Sequence, residues 1–253
     1  MKPLALASAL ATVAFAAAQA PAPPILQNVH RIVCLGDSIT EVGENPGGYV
    51  WLVRHYLGAI YPEQKIEVLN AGVSGNKAPD MIARYQRDVL DKRPDLITIS
   101  VGVNDVWHGF YDNHPMGDGP RGTPLDVYRA DVEKMVQDGL ASGAKIVILS
   151  ATVIHEELDN RENAKAEAYN KALRDIAREH HLVFVDYQKV FRSLITDYRK
   201  ETGGRDLLLT VDGVHMNAEG NKVMAHALLT GLGVSPEAQA GAQAQVEREE
   251  RGQ

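Results

Sequence analysis

Four short stretches place the residues of acyl-transfer chemistry at intervals along the chain: Gly36-Asp37-Ser38-Ile39-Thr40, Ala71-Gly72-Val73-Ser74-Gly75-Asn76, Gly102-Val103-Asn104-Asp105 and Val211-Asp212-Gly213-Val214-His215. A serine hydroxyl is a weak nucleophile at its own pKa, so a base must take its proton as it attacks. Histidine titrates in the useful range, and a carboxylate orients its ring and stabilises the imidazolium that forms. Asp212-x-x-His215 offers both groups on one short loop, and Ser38 is the nucleophile they would serve. The tetrahedral intermediate then needs donors aimed at its oxyanion. The expected donors are the Ser38 N–H, the Gly72 N–H and the Asn104 side-chain amide, glycine at 72 letting backbone approach substrate closely.

The elements that must carry these residues show in the hydrophobic pattern. Continuous apolar, β-branched runs at 31–35, 66–70, 95–101, 145–150 and 182–186 read as strands covered on both faces. Helical patterns lie between and after them, at 49–60, 79–90, 125–142, 162–180, 187–199 and 217–232. In the third, Val132, Met135, Val136 and Leu140 form one apolar stripe, and Gly143 follows as a stop. Alternating strands and helices imply a parallel sheet between two helical layers, joined by right-handed crossovers. Three of the four stretches directly follow strands, and the fourth follows the last strand and its helix. Ligands of open parallel sheets bind beyond that carboxyl rim.

In order and spacing, these blocks resemble the SGNH (GDSL) hydrolase family, from the first strand to the last helix of the domain. The resemblance implies an α/β fold, a three-layer α/β/α sandwich with a five-stranded parallel sheet of flavodoxin-like type. It implies a catalytic triad of Ser38, Asp212 and His215, with Ser38, Gly72 and Asn104 forming the oxyanion hole, and no metal or organic cofactor. The Gly36-Asp37-Ser38-Ile39-Thr40 form is similar to the bacterial esterase branch, which includes carbohydrate acetylesterases. The implied activity is hydrolysis of a carboxylic ester, of short acetyl type, on a small molecule or saccharide. Alternatives are a thioesterase or lysophospholipase for longer acyl chains, an acyltransferase, or a non-catalytic carbohydrate-binding module.

Other residues compete for roles near the rim. The long loop 106–123 is rich in Gly and Pro and carries Trp107, Phe110 and Tyr111, aromatic rings suited to stacking on a sugar or an acyl chain. Trp107, Tyr111, Asp37 and His155 are candidate substrate contacts. Gly72-Val73-Ser74-Gly75-Asn76 comes close to the G-x-S-x-G nucleophile elbow, but asparagine ends it and no HGGG-type segment accompanies it, so Ser74 is not expected to attack. His108, Asp112 and His114 lack the further spaced ligands that a metal site needs.

Composition bounds the rest. Acidic residues outnumber basic ones 33 to 26, a formal net charge of -7, which argues against a phosphate-neutralising nucleic-acid surface. Residues 1–20 have the layout of a secretory signal peptide, with Lys2 before an Ala-rich apolar run, so an exported protein without stable membrane insertion is expected. Residues 21–29 read as a linker, 30–233 as the hydrolase domain, and 234–253, lacking large apolar residues, as a disordered tail. Cys34 is the only cysteine and reads as a buried structural thiol.

Overall fold

The computed structural model describes residues 22–250; the expected signal peptide lies outside them. Its elements run β1 Arg31–Gly36, α1 Ser38–Val42, α2 Tyr49–Ile60, β2 Glu67–Gly72, α3 Ala78–Asp88, β3 Leu96–Ser100, α4 Val103–Trp107, α5 Leu125–Ala141, β4 Lys145–Leu149, α6 Arg161–Glu179, β5 Val183–Val185, α7 Tyr187–Thr202, α8 Ala218–Gly231 and α9 Pro236–Glu250. The five strands form one parallel sheet in the order β2-β1-β3-β4-β5. It is the α/β sandwich expected.

Burial explains why these segments pair. Ile32, Val33, Cys34 and Leu35 of β1, Ile97 and Ile99 of β3, and Ile146 to Leu149 of β4 are all buried. Continuous apolar strands of this kind are stable only when both faces are covered. Helices α3, α5 and α6 pack as one cover, and α2, α8 and α9 as the other. Val132, Met135 and Val136 of α5 are fully buried, whereas Leu140, expected on the same stripe, is largely exposed near the helix end.

The winding places the rim. The chain steps outward from β1 to β2 and returns past β1 to β3, so the order reverses between β1 and β3. Loops part at such a switch point and leave a crevice at the carboxyl ends. Ser38 follows β1 there, and Asn104 follows β3.

Two boundary expectations are corrected. Over its described residues, 22–29, the expected linker packs on the domain: Leu26 and Val29 are fully buried, and the Lys145 ammonium donates to the Ile25 and Gln27 carbonyls at 2.9 and 2.7 Å. Nor is 234–250, the described part of the expected tail, structureless. It forms α9 against α2, with Gln239, Ala242 and Val246 buried and the His226 ring between the Gln239 and Gln243 amides at 2.8 and 3.0 Å. Ala, Gln and Glu are good helix formers, and a few small side chains suffice to seat one face.

Candidate active site

Ser38 opens α1 directly after β1. Asp37 caps that helix, accepting the Ile39 N–H at 3.0 Å, and is buried with only 3% exposure. Expected as a substrate contact, Asp37 is instead a support beneath the nucleophile. Burial drives its carboxyl up to about 7, and nearby Asp105 adds to the rise. Burial likewise raises Asp105 to about 6, although it accepts the Ala78 N–H at 2.9 Å.

Two glycines let α1 sit this close to the sheet. A Cβ on Gly36 would overlap the Thr40 side chain, and one on Gly72 would overlap the backbone N–H of Glu41. Strand register sets Gly36 beside Gly72, so both strand ends are bare where the helix crosses them.

The base arrives on a different kind of support. Thr210 and Met216 form an isolated antiparallel bridge, and the Val211 N–H donates to the His215 carbonyl at 2.9 Å, closing a tight loop around 211–215. Within it, Asp212 Oδ1 accepts the Val214 and His215 N–H groups at 2.9 and 2.7 Å. Asp212 Oδ2 meets His215 Nδ1 at 2.7 Å, and His215 Nε2 meets Ser38 Oγ at 2.9 Å. The three expected triad residues are therefore joined in one line. Burial alone would raise the Asp212 carboxyl, but its hydrogen bonds from the His215 ring and the two backbone N–H groups hold it below the usual carboxylate range. An ionised Asp212 is what an imidazolium at His215 requires.

The expected oxyanion donors are not all free to donate. The Ser38 N–H donates to nothing among the described residues. Asn104 gives one amide hydrogen to the Asn76 carbonyl at 3.1 Å and keeps the second. The Gly72 N–H, however, is committed to Asn70 Oδ1 at 2.7 Å. Along the following loop, the N–H groups of Val73, Ser74, Asn76 and Lys77 are also engaged, with Gly36, Glu41, Val73 and Asp80 respectively. Among the described residues, the Gly75 N–H has no acceptor, in a turn with φ +78 that disfavours side chains. Sequence reasoning passed over it for Gly72; the Ser-Gly-Asn turn directly after a strand was the available signal. Ser74 hydrogen-bonds Glu41 with both its N–H and its hydroxyl and makes no hydrogen bond to a histidine among the described residues.

The candidate substrate contacts form a row. His155 donates its N–H to the Gly213 carbonyl at 2.7 Å, which seats it on the triad loop, and its ring lies 5.4 Å from Trp107, edge to face. Trp107 ends α4 and meets Tyr111 at 5.6 Å, and the Arg121 guanidinium lies 4.7 Å above the Tyr111 ring. His108, weighed as a metal ligand, stacks on Tyr111 at 5.0 Å. A groove of about 900 Å³ between α7, α8 and β5 contains none of the triad.

A parallel sheet that presents a Ser-His-Asp line at its carboxyl rim defines a serine hydrolase architecture. Residues 34–223 match the model of the GDSL-like lipase/acylhydrolase family, and the chain belongs to that family. It is 30% identical over 214 residues to an acetylxylan esterase of Geobacillus stearothermophilus, covering 80% of this chain and 94% of that one. A catalytic mutant of that esterase superposes with a TM-score of 0.70 at 28% identity, over 81% of this chain and 95% of that one. An α/β hydrolase from the metagenome of Lake Arreo, Spain, gives 0.71 at 28% identity, over 81% of this chain and 95% of the other. The protein is a carboxylic ester hydrolase of this family.

Proposed function

We propose that the protein cleaves a short, acetyl-type ester from a saccharide through an acyl-enzyme on Ser38. The unbroken line Asp212–His215–Ser38, at 2.7 and 2.9 Å, carries this reading. His215 Nε2 takes the Ser38 proton as Oγ attacks the ester carbon, and the same proton passes to the departing alcohol oxygen as its bond to carbon breaks. Asp212 accepts the hydrogen bond of His215 Nδ1–H throughout. The developing oxyanion takes the Ser38 N–H, the free Asn104 amide hydrogen and the Gly75 N–H, the last in place of the Gly72 N–H. Water activated by His215 then releases the acid. The scheme uses no metal or organic cofactor.

Two observations support the acyl and alcohol classes. The acetylxylan esterase relative acts, by its name, on acetylated xylan. The ring row of His155, Trp107 and Tyr111 offers flat faces beside the triad loop, suited to sugar rings. The amino-terminal stretch 1–20 supports export to where such polymers lie.

Hydrolysis of p-nitrophenyl esters from acetate upward, beside acetylated xylo-oligosaccharides, tests the assignment. The acetyl substrates are expected to turn over fastest, and Ser38→Ala to retain less than about a thousandth of the activity. Preference for long acyl chains would overturn the acetyl assignment. Equal rates in Ser38→Ala would overturn the nucleophile.

A further inference from the structure

The triad loop lies outside the sheet, so something else must fix the catalytic base. Immediately after His155 stands Glu156, a carboxylate with only 1% exposure. Both residues have left-handed backbone, φ +59 and +24, which costs free energy for residues other than glycine. The surroundings enforce that conformation. Asn163 of α6 accepts the Ile154 N–H at 2.8 Å and donates to the Ile154 and Glu157 carbonyls at 2.8 and 2.9 Å. Arg199 of α7 donates to the Glu156 carbonyl at 2.6 Å. Strained backbone held by buried contacts on two helices marks a segment whose side chain has work to do.

That side chain reaches the triad loop. Glu156 Oε2 accepts the Leu208 N–H at 2.8 Å, and Oε1 accepts the Leu209 N–H at 2.8 Å and the Thr210 hydroxyl at 2.7 Å. The Thr210 hydroxyl, its one proton given to Glu156, is free to accept the Gly213 N–H, at 3.1 Å. Gly213 separates Asp212 from Val214 and His215. The Gly213 carbonyl is held in turn by the His155 N–H at 2.7 Å, so both sides of that residue are tied to the 155–156 segment. Glycine is needed here, because a Cβ at 213 would stand 2.8 Å from His155 Cα.

We propose that Glu156 is a positioning residue for the catalytic base, acting through Thr210 to hold the Asp212–His215 turn at hydrogen-bonding distance from Ser38. This rests on the esterase reading given above. Glu156 touches neither substrate nor the reacting atoms. It converts a flexible turn into one whose register with Ser38 is set by helices α6 and α7.

The test compares Thr210→Val, Thr210→Ser and Glu156→Leu with the wild type on p-nitrophenyl acetate, with melting temperature and the rate of Ser38 labelling by a phosphonate probe. Thr210→Val keeps the shape and removes the relay. It is expected to lower kcat by about 10- to 100-fold, with KM within about threefold and labelling slowed in parallel, since a misplacement of about 1 Å can cost that much. Thr210→Ser, which keeps the hydroxyl, is expected to restore kcat to within about threefold of wild type. Glu156→Leu removes the acceptor for the Thr210 hydroxyl and should resemble Thr210→Val; if it does not fold, the Thr210 pair alone decides. A folded Thr210→Val with wild-type kcat and labelling, even if less heat-stable, would overturn the proposal by showing a structural role only. So would Thr210→Ser as impaired as Thr210→Val. A wild type that neither hydrolyses the ester nor takes the probe would instead sink the esterase reading, and this proposal with it.

Discussion

The proposed nucleophile and its proposed base are held by different physics. Ser38 follows an interior strand buried from Ile32 onward, on a helix that two glycines allow against the sheet. Its position is set by close packing, which yields little and tolerates little. Asp212 and His215 lie on a half-exposed loop of no regular structure, held by hydrogen bonds within the loop and to Glu156 and His155. Perturbing the first side should cost fold and activity together. Perturbing the second should cost activity first.

Three changes on the sheet side sharpen that contrast, beyond the Thr210 series on the loop side. Asn104→Ala removes a proposed oxyanion donor and is expected to lower kcat by about 10²- to 10³-fold, KM changing little, measured with p-nitrophenyl acetate. A drop of less than about threefold would remove Asn104 from the oxyanion hole. Next, Gly72→Ala forces a Cβ into the Glu41 backbone and is expected to destabilise the fold by about 1–3 kcal/mol or more, read by denaturant titration. An unchanged midpoint would show that α1 is free to shift, and the contrast would fail.

The smallest effect is a slope with pH. Asp37 has a folded-state value raised from 3.8 to about 7 by burial, so its folded form binds a proton that the unfolded form has lost in that window. Its contribution is fully present below about pH 4 and is lost as pH rises towards 7. Asp37→Asn keeps the cap acceptor but does not titrate. Its stability relative to wild type is therefore expected to rise between pH 4 and 7 and then level off, read by chemical unfolding at several pH values. A flat difference would mean that Asp37 is not buried as a neutral acid.

The same contrast explains what was legible in the sequence. Apolar runs announced all five strands, and the residue types after them announced the triad. What stayed hidden depended on hydrogen-bond direction. Gly72 and Gly75 look alike as letters, yet one N–H turns to Asn70 and the other has no acceptor among the described residues. Asp37 reads as a polar residue beside the nucleophile, but its burial makes it a support. Glu156 reads as one acid among several in a loop; only the fold brings it to Thr210, 54 positions away. Helix α9 was missed because it buries small side chains and a glutamine, where a hydrophobic pattern has little to detect.

The most direct measurement is phosphonate labelling of the wild type and His215→Ala, followed by peptide mapping. A single adduct on the Ser38 peptide, formed far more slowly in His215→Ala, is the expected result. An adduct on the Ser74 peptide, or a Ser38 adduct formed equally fast without His215, would contradict the Asp212–His215–Ser38 line as the catalytic unit.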